Sequence, residues 1–131
     1  MENIKFFSGV KKFLFELKKK GYKLAIISSN RIENINVFIK HNNINIFDFV
    51  HGKTDLFGKA GYLGKFLNDF KLGKSEVIYI GDEIRDVEAC KKVGIKMIGV
   101  SWGLHTIEAL RKAGVDYIAK KPEEILKIIN K

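Results

Sequence analysis

A chain of 131 residues with 46% apolar content is long enough for a core of its own, and residues 1–131 are read as one domain. No run approaches the length of a membrane span, and the start Met1-Glu2-Asn3-Ile4-Lys5 does not read as a signal peptide. A single cysteine, Cys90, excludes a disulfide framework, so the expected setting is a reducing cytoplasm. The net charge of +9 is mostly lysine scattered over helices and loops, with no aromatic-interleaved basic stripe. That pattern predicts a solvated surface and neither membrane nor sequence-specific nucleic-acid binding.

In chain order, Val10, Phe13, Leu14 and Leu17 recur at the spacing of one helical face, after a candidate cap at Ser8. Gly21 ends that helix behind Lys18-Lys19-Lys20. Tyr22 to Ile27 reads as a strand, with Ser28-Ser29-Asn30 at its carboxyl end. Arg31 to His41 reads as a helix with Ile32, Ile35 and Ile39 inward, and Asn42-Asn43 closes it. Phe49 to Gly52 is a short strand, the loop Lys53–Gly58 follows, and Lys59 opens a helix toward Phe70. Val77-Ile78-Tyr79-Ile80 reads as a buried parallel strand, after which Gly81 turns the backbone and Asp82 stands at the strand end. The remaining elements are a helix Arg85–Val93 capped by Gly94, a strand Lys96–Val100, a helix Ile107–Ala113, an edge strand Tyr117–Ala119 and a closing helix Pro122–Asn130. This alternation predicts an α/β fold, a parallel sheet with helices on both faces.

Polar groups collect at three places where such a fold binds ligands. Asp82 and Asp86 are hard oxygen ligands of the kind Mg²⁺ takes, or else acids favouring the positive end of a helix. Ser28 is a hydroxyl suited to a phosphate oxygen, or else a helix cap. Lys59 is a cation able to neutralise a negative intermediate, or else one more solvated lysine. There is no dinucleotide fingerprint and no P-loop.

Taken together, Leu24-Ala25-Ile26-Ile27-Ser28-Ser29-Asn30, Phe57-Gly58-Lys59 and Gly81-Asp82-Glu83-Ile84-Arg85-Asp86 resemble the second, third and fourth motifs of the haloacid dehalogenase superfamily. Val93-Gly94-Ile95 and Ser101-Trp102-Gly103 are similar to its phosphoglycolate-phosphatase-like hydrolases. The resemblance covers nearly the whole chain and implies a Rossmann-like core. It also implies Mg²⁺-dependent hydrolysis of a small phosphorylated substrate through an aspartyl-phosphate. Carried over, Ser28, with Ser29 and Asn30, binds the phosphate, and Lys59 neutralises it. Asp82 ligates Mg²⁺, and Asp86 is either a ligand or the partner of Lys59; Lys53 and Lys65 are alternatives for the lysine. The family's first motif, a central strand ending in Asp-x-Asp, is missing. No Asp-x-Asp occurs, no aspartate precedes Asp48, and the helical cap that follows that motif is absent too. Asp48 and Asp55 lie in the wrong places to substitute. The expectation is a core lacking its amino-terminal strand and inactive alone, with a second chain or a homo-oligomer supplying that strand. The alternative is a non-catalytic module that binds Mg²⁺, phosphate or a partner, with a basic nucleic-acid binder as the third reading. With no intervening strand, Leu24–Ile27 and Val77–Ile80 are expected to pair directly. That gives the order Phe49–Gly52, Leu24–Ile27, Val77–Ile80, Lys96–Val100, Tyr117–Ala119.

Overall fold

The computed structural model describes residues 10–28, 30–52, 58–101 and 106–129. The elements are α1 (Val10–Lys19), β1 (Ala25–Ile27), α2 (Ile32–His41), β2 (Phe49–His51), α3 (Gly58–Asp69), β3 (Ile78–Gly81), α4 (Ile84–Val93), β4 (Lys96–Val100), α5 (Ile107–Ala113), β5 (Tyr117–Ala119) and α6 (Pro122–Ile129). All strand pairings are parallel, and the strands alternate with helices as expected. The chain divides into two compact units, Met1–Leu56 and Phe57–Lys131.

In the first unit β1 pairs with β2 in the register Ala25↔Phe49, Ile26↔Val50, Ile27↔His51. Ile35, Ile39 and Ile44 form its apolar centre, with Ile26, Phe38, Phe47 and Val50 packed around them. On α1, Phe13 and Leu17 are buried, as their spacing predicts. Ile32 departs from the predicted inward set. It lies in the first turn of α2 and is 37% exposed, because the helical stripe reaches the core only from Ile35 onward. The strand is also shorter than read, starting at Ala25 rather than Tyr22, since β2 offers only three partners.

The amino end of this sheet is pinned by Asp48. Its carboxylate accepts the Leu24 N–H at 2.8 Å and the Lys18 ammonium at 2.6 Å, while its own N–H donates to the Leu24 carbonyl at 2.7 Å. The Lys18 hydrogen bond, then the Leu24 N–H, hold the Asp48 carboxyl below its ordinary 3.8. A lowered carboxyl contributes stability that is complete above the ordinary value and fades as the pH falls through the folded one. Asp48→Asn is therefore expected to unfold at a lower temperature than the parent near neutral pH, with the gap closing in acid. Thermal unfolding across that pH range checks this.

In the second unit the sheet order is β3-β4-β5. Central β4 is buried from Met97 to Val100, and the β4 register runs Ile78↔Lys96 to Gly81↔Gly99 on one side and Ile98↔Tyr117 to Val100↔Ala119 on the other. Leu63 and Leu67 of α3, Val87, Ala89 and Cys90 of α4, Leu110 of α5 and Ile125 of α6 are among its buried helical residues. Asp116 accepts the Met97 N–H at 2.9 Å and so ties the start of β4 to the turn before β5.

The described strands form two sheets, β1-β2 and β3-β4-β5, and the expected neighbours hold within each. One expectation is corrected here: β3 is not a fully buried strand. Among the described strands its ladder partner is β4, at one edge of the sheet, and Ile80 is 37% exposed. Apolar composition alone does not distinguish an edge strand from a central one.

Candidate functional site

At the carboxyl end of β1, the Ser28 N–H donates to the His51 carbonyl at 3.0 Å, extending the ladder one residue past the strand. The chain then turns. The Ser28 hydroxyl oxygen accepts the Asn30 N–H at 3.1 Å, a local Ser turn rather than a helix cap. The Asn30 side-chain oxygen accepts the Arg31 N–H at 2.8 Å and the Asn34 amide at 3.0 Å, fixing the entry into α2. Accepting a bond at its oxygen leaves the Ser28 hydroxyl proton its own donor role, the one a phosphate oxygen requires. Ser29 lies outside the described residues. Gly52 closes this end from the β2 side. A Cβ there would stand 2.5 Å from the Asn30 carbonyl oxygen and 2.9 Å from the Ile32 nitrogen, so only glycine permits the approach.

At the carboxyl end of β3, Asp82 is half-buried in the two-residue step before α4, and Asp86 is in the first turn of that helix, 3% exposed. Neither acid is the helix cap, a position held by Glu83 without a side-chain bond. The Tyr79 hydroxyl donates to Asp86 at 3.2 Å. Burial first, then the negative charge of Asp86, pushes the Tyr79 phenol well above its ordinary 10.0, so it stays a proton donor. Gly81 makes this packing possible. A Cβ there would be 2.7 Å from both an Asp86 carboxylate oxygen and the Tyr79 ring. Tyr79 is a residue that the sequence reading passed over; its signal is a hydroxyl within an apolar strand just before the glycine.

Lys59 is the second residue of α3, and its side chain, like Lys53, Asp55 and the Trp102 segment, lies outside the described residues. Lys65 is exposed on the same helix. Among the described residues no group of three or more His, Cys, Asp or Glu side chains is placed to hold a metal ion. Asp82 and Asp86 offer hard oxygens suited to Mg²⁺, but one Asp86 oxygen already receives Tyr79. The pair fits an ion that keeps several waters and takes further anionic ligands from elsewhere.

The profile of the haloacid dehalogenase-like hydrolases matches residues 1–100. The chain is 30% identical over 127 residues to a phosphoglycolate phosphatase of Synechococcus elongatus, covering 96% of this chain and 60% of that protein. It is 31% identical over 123 residues to the pyrophosphatase PpaX of Bacillus velezensis, covering 88% and 55%. Among solved structures, a haloacid dehalogenase-like family hydrolase from Streptococcus pneumoniae superposes with a TM-score of 0.84 at 27% identity, over 94% of this chain and 59% of that one. A predicted phosphatase from Clostridium acetobutylicum gives 0.86 at 26% identity, over 95% and 59%. The chain thus spans between half and two thirds of the length of these relatives. No helix among the described residues is long and apolar enough to cross a membrane.

Proposed function

We propose, since the chain belongs to the haloacid dehalogenase-like hydrolase family, that its residues carry the phosphate-binding and metal-binding part of a phosphatase. The substrate is a small phosphorylated compound; the relatives' names point to phosphoglycolate and pyrophosphate. Ser28 donates its hydroxyl proton to a phosphate oxygen, and the turn it forms with Asn30 orients that hydroxyl. Lys59 neutralises charge on the phosphoryl group. Asp82 is the carboxylate that holds Mg²⁺, and Asp86, held by Tyr79, sets the strand end from which Asp82 projects. Bound Mg²⁺ supplies charge neutralisation at the phosphoryl oxygens.

The observation that carries this reading is the acidic step Gly81-Asp82 at the carboxyl end of β3, packed by a buried Asp86. Covalent turnover also needs a carboxylate nucleophile, and no Asp-x-Asp occurs in these 131 residues. That group comes from residues outside them, on the same polypeptide or on a second one.

NMR titration with Mg²⁺ tests the metal assignment. The amides around Asp82 are expected to shift with millimolar, water-rich affinity, and Asp82→Asn is expected to weaken it at least about tenfold, as loss of a charged ligand does. Identical titrations of the two proteins would remove Asp82 from the role.

A further inference from the structure

We propose that the Tyr79 hydroxyl is a positioning group for the metal-binding carboxylate: through Asp86 it fixes the backbone step that carries Asp82, and Asp86 itself stays off the ion. The proposal rests on the assignment of Asp82 to Mg²⁺ above and goes beyond it to what sets the strength of that site.

Three observations carry it. The first is that Asp86 holds the residues on both sides of Asp82. A Cβ on Gly81 would stand 2.7 Å from Asp86 Oδ2, so the carboxylate lies directly against the Gly81 backbone. The Asp86 N–H donates to the Glu83 carbonyl at 3.0 Å. The second is the hydroxyl. Tyr79 donates to Asp86 Oδ1 at 3.2 Å, so the two carboxylate oxygens face different neighbours, and the group cannot rotate without losing one of them. The third is the rigidity of the donor. Tyr79 is paired with Met97 in the ladder between β3 and β4, and Tyr79 and Gly81, two residues apart, share one face of the strand. The same Cβ on Gly81 would be 2.7 Å from the Tyr79 ring and 3.2 Å from Met97 Cε, so ring, carboxylate and Met97 close over the glycine. The hydroxyl therefore reaches Asp86 from a backbone that buried β4 holds in place. A contribution to stability alone accounts for less. A carboxylate only 3% exposed is costly to bury, and apolar residues of similar volume often serve a core as well or better. What an apolar residue would not supply is a hydroxyl-anchored group that fixes the Gly81-Asp82 step, and partners that orient a metal ligand in this way change metal affinity about ten- to a hundredfold.

The test is carboxyl-carbon NMR of the 131-residue chain titrated with Mg²⁺ alone, with Tyr79→Phe alongside. In the parent, saturating Mg²⁺ is expected to shift the Asp82 carboxyl carbon and to leave that of Asp86 in place. Tyr79→Phe keeps the ring and loses only the hydroxyl. In this variant the Asp86 carboxyl carbon is expected to shift before any metal is added, and the Mg²⁺ affinity read at Asp82 to fall about tenfold. Both titrations are run well below the melting temperature of the variant, where a contribution to stability alone leaves affinity unchanged. Unchanged affinity in the folded variant overturns the positioning role. Tighter binding overturns it too, since the hydroxyl then competes with the ion for Asp86. A Mg²⁺-induced shift at the Asp86 carboxyl carbon as large as that at Asp82 overturns the proposal from the parent chain by itself, whether or not the variant folds. In all three cases Asp82 keeps its role, whereas a parent chain whose Asp82 carboxyl carbon ignores Mg²⁺ removes both.

Discussion

The purified 131-residue chain, given Mg²⁺ and either p-nitrophenyl phosphate or phosphoglycolate, is expected to release phosphate no faster than its Asp82→Asn variant. Deleting a catalytic nucleophile removes on the order of a millionfold in turnover, because the remaining groups stabilise a step that cannot begin. The available aspartates explain the expectation. Asp82 and Asp86 follow β3 and are assigned to metal and to packing. Asp48 is at the opposite end of the first sheet from Ser28, its carboxylate taken by Lys18 and the Leu24 N–H. Phosphate release that appears on adding a polypeptide with a strand ending in Asp-x-Asp would establish the division of labour. Mg²⁺-dependent turnover by the chain alone, abolished by Asp82→Asn, would refute it and make Asp48 and Asp55 the first candidates for the attacking group.

Gly52→Ala and Gly64→Ala are expected to move stability in opposite directions. At Gly52 the added methyl meets the Asn30 oxygen and the Ile32 nitrogen, both backbone atoms that no rotamer change relieves. Overpacking of that kind costs about 3 kcal/mol, or on the order of 10 °C in a chain of this size. At Gly64, inside α3, the methyl meets nothing within 4 Å, and replacing a helical glycine with alanine gains about 0.5–1 kcal/mol. Circular dichroism melts of the two variants check both signs. A Gly52→Ala melt matching the parent would show that the end of β2 is free to move away from α2.

What the sequence made legible was whatever is written in local periodicity. The α1 stripe, the strand Lys96–Val100, the edge strand Tyr117–Ala119 and the helix starting at Pro122 all sit where spacing and composition place them. Ser28 and Asp82, too, directly follow β1 and β3. What was not legible depends on partners distant in sequence. Four apolar residues at Val77–Ile80 read the same whether one ladder neighbour or two lie beside them, so composition alone does not reveal that Ile80 is 37% exposed. Tyr79 holds Asp86 because a strand residue and a helix residue meet across the Gly81 turn, a contact that spacing alone does not announce. Spacing marks Arg31 as the start of a helix and His51 as a member of a strand, and neither shows that Gly52 sets the end of β2 against the start of α2.

Cys90 is the single thiol of the chain and 1% exposed, one helical turn beyond Asp86 on α4. An alkylating reagent reaches it only when α4 lifts from its neighbours, so the labelling rate equals the reagent's intrinsic rate scaled by the equilibrium for that opening. No second thiol blurs the signal. The chain therefore carries a native clock for the helix that bears its acidic pair, and any ligand that fastens Asp82 or Asp86 in place registers as a slowing of that clock, without a label or an engineered site.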